Sequence, residues 1–537
     1  MNYQEIAKLY NLDESISEIL VQRGFNTREK LNNFFNPSLD KLQSYSDIPN
    51  IENVIGLLKA HIENGSIVIF CDFDCDGLTS AAILYKAVKK YDSKAEIKIL
   101  NGDRYRDEYG LSKKSVEIIK NKLKPSLVIT LDCGISNQKE IEELKDNDIE
   151  VIVIDHHKND DIESLKILGD NFIDLKVKSG NYQFKELSGG GITWRVGQAL
   201  LKESFEEVLD LVTLSTVADV VPLVGENRYI VAAGLEKFRS GDINPGLKKL
   251  IYFLCSSRES ITASDLGYQI GPAINAIGRL GSPEPVLDLL LYEERRPAQD
   301  LDQLAHQLIS NNEKRKELTD RIMKIVDRKI KPDLNVILVK GKILRGLVGL
   351  IAGKLSSKYN KPAIVIDSLT LKGSARSIEP FDIYKNLKRC QQENLLEKTG
   401  GHKLAAGIKL KTGRFRDFFD RINQLAEGIE YQEETYDLKI DIEKINANFL
   451  DNLYKLAPFG HKNRHPIFFS EGVRINNPDL IKDSHLKFYS NDIESIAFYM
   501  TDKFERIKSG SADLLYQPEW TTFRNKTYMN LIVKDIF

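Results

Sequence analysis

"SIVIFCDFDCDGLTSAAILYKAVKK", residues 66–90, sets Asp72, Asp74 and Asp76 at every second position between an apolar run and a helical pattern. The run Ser66 to Phe70 is β-branched and aromatic and reads as a strand. From Leu78 onward apolar residues recur at helical spacing, with Thr79 and Ser80 near the start. The order is strand, loop, helix. In an open α/β sheet the loops leaving the carboxyl ends of the strands line the crevice where ligands bind, so the three acids are expected to line one. Their mutual repulsion requires a cation among them. Alternating acids on a solvent-facing strand edge give the same short pattern, so other segments must decide.

The chain has 537 residues, more than one hydrophobic core serves, and 42% of them are apolar, so two to four domains are expected. Lys and Arg total 76 against 78 acids, a formal charge of −2, which removes global basicity as an argument for nucleic acid. Any polyanion site must be a built pocket. Cys71, Cys75, Cys133, Cys255 and Cys390 are odd in number and contain no C-x-x-C pair, which suits a reducing compartment. The start "MNYQEIAKLYNL" lacks a basic-then-apolar signal layout, and no run approaches the roughly 18 apolar residues of a membrane span. A cytoplasmic protein without membrane contact is expected.

Between about 50 and 225, the runs "SIVIF", "AEIKIL", "SLVITL", "EVIVID" and "NFIDL" alternate with amphipathic stretches, the rhythm of a parallel sheet with helices on both faces. From Asp300 to Ile330, Leu301, Leu304, Leu308, Leu318, Ile322 and Ile325 recur at three- and four-residue steps, predicting one long helix of about 45 Å. A second α/β unit starts at "NVILVKG" and includes "KPAIVID". Beyond it "YDLKIDI", "HPIFFSEGVRI", "HLKFYS", "SIAFYM" and "TYMNLIVKDIF" predict a small all-β domain, with Tyr436, Leu438, Ile440 and Ile442 on one face of its first strand. The expected boundaries are an N-terminal helical segment at 1–45, a catalytic unit at 46–225, a helical connector at 226–335, the second α/β unit at 336–427 and the β-domain at 428–537.

Further acids follow apolar runs: Asp132 in "LVITLDCG", Asp155 with His156 and His157 in "VIVIDHH", and Asp219 in "LSTVADVVPL". All three are read as strand ends, and converging strand ends would gather Asp132, Asp155 and the histidine pair with Asp72, Asp74 and Asp76 in one crevice. Carboxylates with few imidazoles suit Mn²⁺ or Mg²⁺ better than a structural zinc. A carboxylate bridging two such ions about 3.5–4 Å apart lets them activate water and stabilise charge on a phosphoryl oxygen. Cys71, Cys75 and Cys133 alternate away from the acids and are read as packing.

The ordered set "DFDCDG", "LDCG", "DHH" and "ADVVPL" resembles the DHH phosphoesterase superfamily. "GPAINAIGRL" (271–280), "GSARS" (373–377), "GGHKLAAG" (400–407) and "LAPFGHKN" (456–463) are similar to its RecJ branch of single-stranded-DNA 5′→3′ exonucleases. The likeness runs from about residue 45 to the end. It implies an α/β fold in which a DHH domain with a parallel sheet and a smaller DHH-associated domain face each other across a cleft spanned by a long helix, followed by a C-terminal OB-fold. It implies two Mn²⁺ or Mg²⁺ ions, with Asp74 and Asp76 each on one ion, Asp132 bridging, and His156 and Asp219 completing the coordination of the second ion. Asp72, Asp155 and His157 would support, orient or polarise, and His402 would meet the scissile or neighbouring phosphate. Arg104, Arg279, Ser374 and Arg376, with Gly401 beside His402, match the residues that bind the substrate and its 5′-phosphate.

By the same resemblance the partner is single-stranded DNA with a 5′-phosphate, with a single-strand-binding protein or helicase as protein partners, and the chain is a monomer. The OB-fold is expected to bind the strand without a part in chemistry, with Phe459, Phe468, Phe488, Tyr499 and Trp520 as candidates for stacking or barrel core. Two departures stand out: Ala273 replaces a common arginine in "GPRINA", so one contact is missing or moved, and "LAPFGHKNRHP" replaces a glycine-asparagine-proline run. Two other functions were open to this sequence. A hydrolase of oligoribonucleotides, cyclic dinucleotides or pyrophosphate lacks the long helix and β-domain, and a metal-free replication factor would show degenerate acids.

Overall fold

The apolar runs of the first unit form β1 (Ser66–Cys71), β2 (Glu96–Asn101), β3 (Leu127–Leu131), β4 (Glu150–Ile154) and β5 (Phe172–Ile173), paired in parallel in the order β2-β1-β3-β4-β5. The structure, a computed structural model, describes the chain except residues 105–109, 160–162, 256, 296–299, 329, 331–333, 430, 432–434, 482–484 and 524–525. Side chains along the strands alternate between two cores. Ile67, Ile69, Leu127, Ile129, Ile152 and Ile154 enter one, while Val68, Phe70, Val128, Val151 and Val153 enter the other. That double burial explains why these strands read as continuous apolar runs. Chain order reverses between β1 and β3, which opens a crevice at their carboxyl ends.

The helix after β1 starts earlier than expected, at Cys75, because the Asp74 side chain accepts from the Asp76 and Gly77 N–H groups and caps it. The long helix runs Leu301–Asp327, 27 residues or about 40 Å. Leu304, Ala305 and Leu308 pack into the first unit, and Met323 and Val326 into the second, so one rigid element carries both. The second unit has β6 (Ile337–Gly341), β7 (Ala363–Asp367), β8 (Lys372–Arg376), β9 (Leu396–His402) and β10 (Ala405–Leu410), in the order β6-β7-β8-β10-β9. Only its β6–β7 pair is parallel among the described residues.

The C-terminal unit has β11 (Leu438–Lys439), β12 (Phe468–Ile481), β13 (His485–Ser490), β14 (Ile493–Phe498), β15 (Ser511–Phe523) and β16 (Lys526–Ile536); β15 pairs with both β12 and β16 and closes a barrel. Two expectations change here. "YDLKIDI" is a strand only at Leu438–Lys439, because Asp441 caps a 3₁₀ turn, and Tyr436 is 47% exposed while Ile440 and Ile442 are buried. Strand β15 was not anticipated, since Pro518 and a register shift at Leu515/Tyr516 break its alternation.

The N-terminal helices Tyr3–Tyr10, Glu14–Gln22 and Arg28–Phe35 are not a separate body: Ile6, Ile16, Ile19, Leu31 and Phe34 share one core with Phe449, Leu453, Phe468 and Phe488 of the C-terminal unit. Buried Arg228 ties that assembly to the first unit, donating to the carbonyls of Phe34, Leu456, Ala457 and Pro458 with its guanidinium over the Phe34 ring. Among the described residues no helix is long and apolar enough to cross a membrane.

Candidate functional site

The acids sit where the parallel ladder runs one residue past its strands. The N–H groups of Asp72, Asp132 and Asp155 donate to the carbonyls of Leu131, Ile154 and Ile173, which aligns their side chains at the crevice. Asp132 does this at φ 58°, a left-handed conformation that aspartate tolerates better than most residues. Asp76 comes from the first turn of helix Cys75–Tyr91 and accepts from the Gly189 and Gly190 N–H groups at 2.8 Å each and from Ser215 Oγ at 2.5 Å. A Cβ at Gly190 would lie 2.4 Å from Ser215 Oγ, so only glycine allows that approach.

Asp219 corrects an expectation. It caps the carboxyl end of helix Leu209–Ala218 and does not follow a strand. The apolar "LVTLSTVA" resembled a buried strand because it is a helix buried all round. The helix still delivers the carboxylate to the crevice.

His156 joins these elements. Its Nε2 lies 3.1 Å from Asp132 Oδ1, 3.5 Å from Asp219 Oδ2 and 3.6 Å from Asp76 Oδ2, yet makes no hydrogen bond although it is buried. Burial and the neighbouring His157 lower its pKa to about 3, so the ring is neutral and can act as a ligand. Donor atoms of Asp72, Asp74 and Asp132, of Asp76, His156 and Asp219, and of Asp132, His156 and His157 lie within 4.8 Å of one another in each group. Burial and the Asp74 charge push Asp72 up to about 8. Burial raises Asp76 to about 6, and raises Asp132 and Asp219 well above the carboxylate range, with the other acids adding to it. Carboxyl groups that resist ionisation because they are buried and crowd one another, converging on an unbonded imidazole nitrogen, fit divalent cations with a preference for oxygen and some nitrogen, such as Mn²⁺ or Mg²⁺.

Asp155 is different. Its oxygens accept from the N–H groups of Ile135, His156 and His157 and from His157 Nδ1 at 2.7 Å. Burial alone would raise this carboxyl, but those partners hold it at about 2, and Asp155 in turn overrides the burial of His157 and lifts it to about 9. Asp155 therefore orients the His157 ring and fixes the backbone of His156. Cys71, Cys75 and Cys133 are buried in the flanking cores, and burial pushes their thiols up, in keeping with packing.

Cations adjoin the acids, Arg104 and Arg279 from the first unit and its connector and Arg376 from the second unit. Arg376 at the end of β8 donates to Ser374 Oγ and the Ala375 carbonyl, both at 2.9 Å. Arg279, on helix Gly271–Leu280, donates to the Gly346 carbonyl at 3.2 Å, and Arg104 lies over the Phe73 ring at 4.1 Å. Burial lowers Arg279 to about 10, aided by the charges of Arg104, Arg315 and Arg376 and opposed by Asp74. Arg279 thus interacts with the acidic cluster as well as with the other arginines. His402, on β9, is lowered by burial, then by Arg376 and by His157 across the cleft. Gly401, at φ 143°, admits no side chain, since a Cβ would lie 2.4 Å from the Ala405 carbonyl oxygen.

Sequence reasoning missed four supports. Asn275 accepts from the Cys75 N–H at 2.8 Å and fixes the Asp74 loop, Ser215 and the glycines at 189 and 190 hold Asp76, and Arg315 of the long helix adds a cation beside Arg279. The run "SGGG" at 188–191 was a visible sign of close backbone approach; the others had none. Ala273 is fully buried. Of the aromatic candidates, Phe468 and Phe488 are core, Phe459 and Trp520 pack beside it, and Tyr499 is 69% exposed next to His485.

Three family models match in order: the DHH family N-terminal domain over 66–216, the DHHA1 domain over 334–428 and the RecJ OB domain over 436–535. The single-stranded-DNA-specific exonuclease RecJ of Bacillus subtilis is 29% identical over 541 residues, covering 97% of this chain and 67% of that protein. Among solved structures, RecJ of Thermus thermophilus in complex with Mn²⁺ aligns with a TM-score of 0.84 at 22% identity, covering 100% of this chain and 78% of that one. An exonuclease RecJ bound to manganese aligns at 0.61 and 26% identity, covering 72% of this chain and 97% of that one. The three modules occur in this order, with acids and arginines adjoining at one site, and by them the chain belongs to the RecJ branch of the DHH family.

Proposed function

We propose that this protein is a metal-dependent exonuclease specific for single-stranded DNA, which degrades strands from a 5′-phosphate and releases 5′-mononucleotides. The observation that carries the reading is that the arginines adjoin the acids: Arg104 lies over the ring of Phe73, the residue between Asp72 and Asp74, and Arg279 interacts with Asp74 as well as with Arg104 and Arg376. A terminal phosphate among those arginines would put the next phosphodiester beside the acids. Two divalent cations held by Asp74, Asp76, Asp132, His156 and Asp219 would supply Lewis acidity and an activated water there. Asp72 would support this set, and Asp155 would hold both histidines in place. His157, protonated at neutral pH, would add positive charge at the scissile phosphate, with His402 approaching from the second unit. Arg104, Arg279 and Arg376, with Ser374 and the Gly401 backbone, would grip the terminal phosphate by charge-assisted hydrogen bonds. A cleft between two units joined by one helix would admit a single strand and refuse a duplex roughly 20 Å across, while the barrel would offer bases a surface to stack on.

Digestion of 5′-labelled and 3′-labelled strands with Mn²⁺, Mg²⁺ or EDTA tests the reading. Label should leave the 5′ end first as mononucleotide, only with metal, and far more slowly from blunt duplex. Release from the 3′ end first, or equal cutting of duplex, overturns it.

A further inference from the structure

The residue after Asp219 is held in an unusual state. Val220 has φ 58°, the left-handed region that a β-branched side chain occupies only when its surroundings over-determine it. Its position, just past the end of helix Leu209–Ala218, is one where glycine is the usual choice. The constraint comes from the far end of the chain. His461 Nδ1 lies 3.0 Å from the Val220 carbonyl oxygen and donates to it as the Nδ1–H tautomer, and the Leu223 N–H donates to the His461 carbonyl at 2.8 Å. Gly460 lies against buried Leu223, where a Cβ would come within 2.5 Å of Leu223 Cδ1. The loop making these contacts is itself rigid: Asn463 Nδ2 donates to the carbonyls of Leu456 and Pro458, and Arg228 grips the same stretch. Beyond the turn, Asn227 holds the Pro222 carbonyl.

We propose that His461 is a positioning residue: with the loop 456–463 it clasps the turn 219–223, keeps Val220 left-handed and so holds the Asp219 carboxylate against His156. The inference rests on Asp219 as a metal ligand and gives the C-terminal unit a part in the metal site as well as in strand binding. The clasp acts on one side of the acidic cluster, because Asp74 and Asp132 are fixed by their own cap and ladder contacts.

Mn²⁺ uptake by the DNA-free protein, followed by electron paramagnetic resonance of free Mn²⁺, tests it in wild type, His461→Leu and His461→Asn. Leucine removes the donor; asparagine places an amide N–H near the same point. The Leu variant should lose about ten-fold in affinity for one of two ions, with kcat reduced at limiting Mn²⁺ and KM for long strands unchanged; the Asn variant should recover most of the loss. His461 is exposed, so the unfolding midpoint in EDTA should hardly move. Wild-type uptake of two ions with an unchanged Leu variant overturns the clasp alone, as does a loss that asparagine does not restore. A wild-type protein that takes up no Mn²⁺ overturns the metal reading and the clasp with it.

Discussion

Replacing Arg376 with alanine should separate recognition of a 5′-phosphate from hydrolysis. Its backbone lies inside the second sheet, opposite Ala405 of β10 and Ala363 of β7, so truncation leaves strand pairing intact. Its hydrogen bonds go to Ser374 Oγ and the Ala375 carbonyl, both neutral, so no buried carboxylate is stranded by its loss. Burial and the Arg104 charge both lower its pKa, which means that the folded protein bears a repulsion that a bound phosphate would relieve. One charge-assisted contact of this kind is worth about 1.5–3 kcal/mol, a loss of about ten- to hundred-fold in kcat/KM on 5′-phosphorylated strands. Strands ending in a 5′-hydroxyl should lose much less. Arg376→Lys should fall between, since it keeps the charge without the guanidinium fork. The measurement is the ratio of kcat/KM for the two end types in wild type and variants. An unchanged ratio would mean that Arg376 is structural and that polarity is set elsewhere.

Asp132→Asn should cut hydrolysis by more than about a hundred-fold, because the shared ligand of both ions is lost, while tolerating the left-handed backbone; near-normal turnover would rule out the bridge. The metal-free protein should lose stability from about pH 6.5 to 8.5. There the folded state keeps protons on Asp72 (about 8) and His157 (about 9) that the unfolded chain, at about 3.9 and 6.5, has already released, so stability present at the lower pH is lost as pH rises. After discounting His157 for solvent screening the drop is about 1–3 kcal/mol, measured by denaturant unfolding in EDTA; Mn²⁺ should reverse its sign by binding the deprotonated acids, and a rise with pH in EDTA would refute the raised Asp72. Deleting 430–537 alone should give an aggregating protein, since Ile6, Ile16, Ile19, Leu31 and Phe34 lose their partners at about 1.5–3 kcal/mol each. Deleting 1–45 as well should improve soluble yield, and a monomeric single truncation with ordered N-terminal helices would contradict the shared core.

The catalytic half was legible because its chemistry is local. An acid directly after an apolar strand must emerge at the carboxyl edge of a parallel sheet, so Asp72, Asp132 and Asp155 could be placed in one crevice from strand patterns alone, and three carboxylates near a "DHH" imply a cation whatever the exact geometry. The arginines beside the acids are marked only by motif resemblance; no periodicity singles them out. Asp219 lies beside His156 but at the end of a helix where the pattern predicts a strand, because a helix buried on every side has no amphipathic signature to tell it from a strand.

Contacts between parts of the chain far apart in sequence left no mark in the pattern of residues. The sharing of one core by the first 35 residues and the C-terminal barrel, the grip of Arg228 on four carbonyls, the Asn275 amide on the Cys75 N–H and the His461 clasp on Val220 all use ordinary residue types at positions without a pattern. The sheet, the long helix and the acidic cluster could be read from the order of residues, because periodicity and charge are properties of neighbouring residues. The orientation of each ligand depended on backbone carbonyls and amides brought together by folding, and these carry no side-chain signature to read.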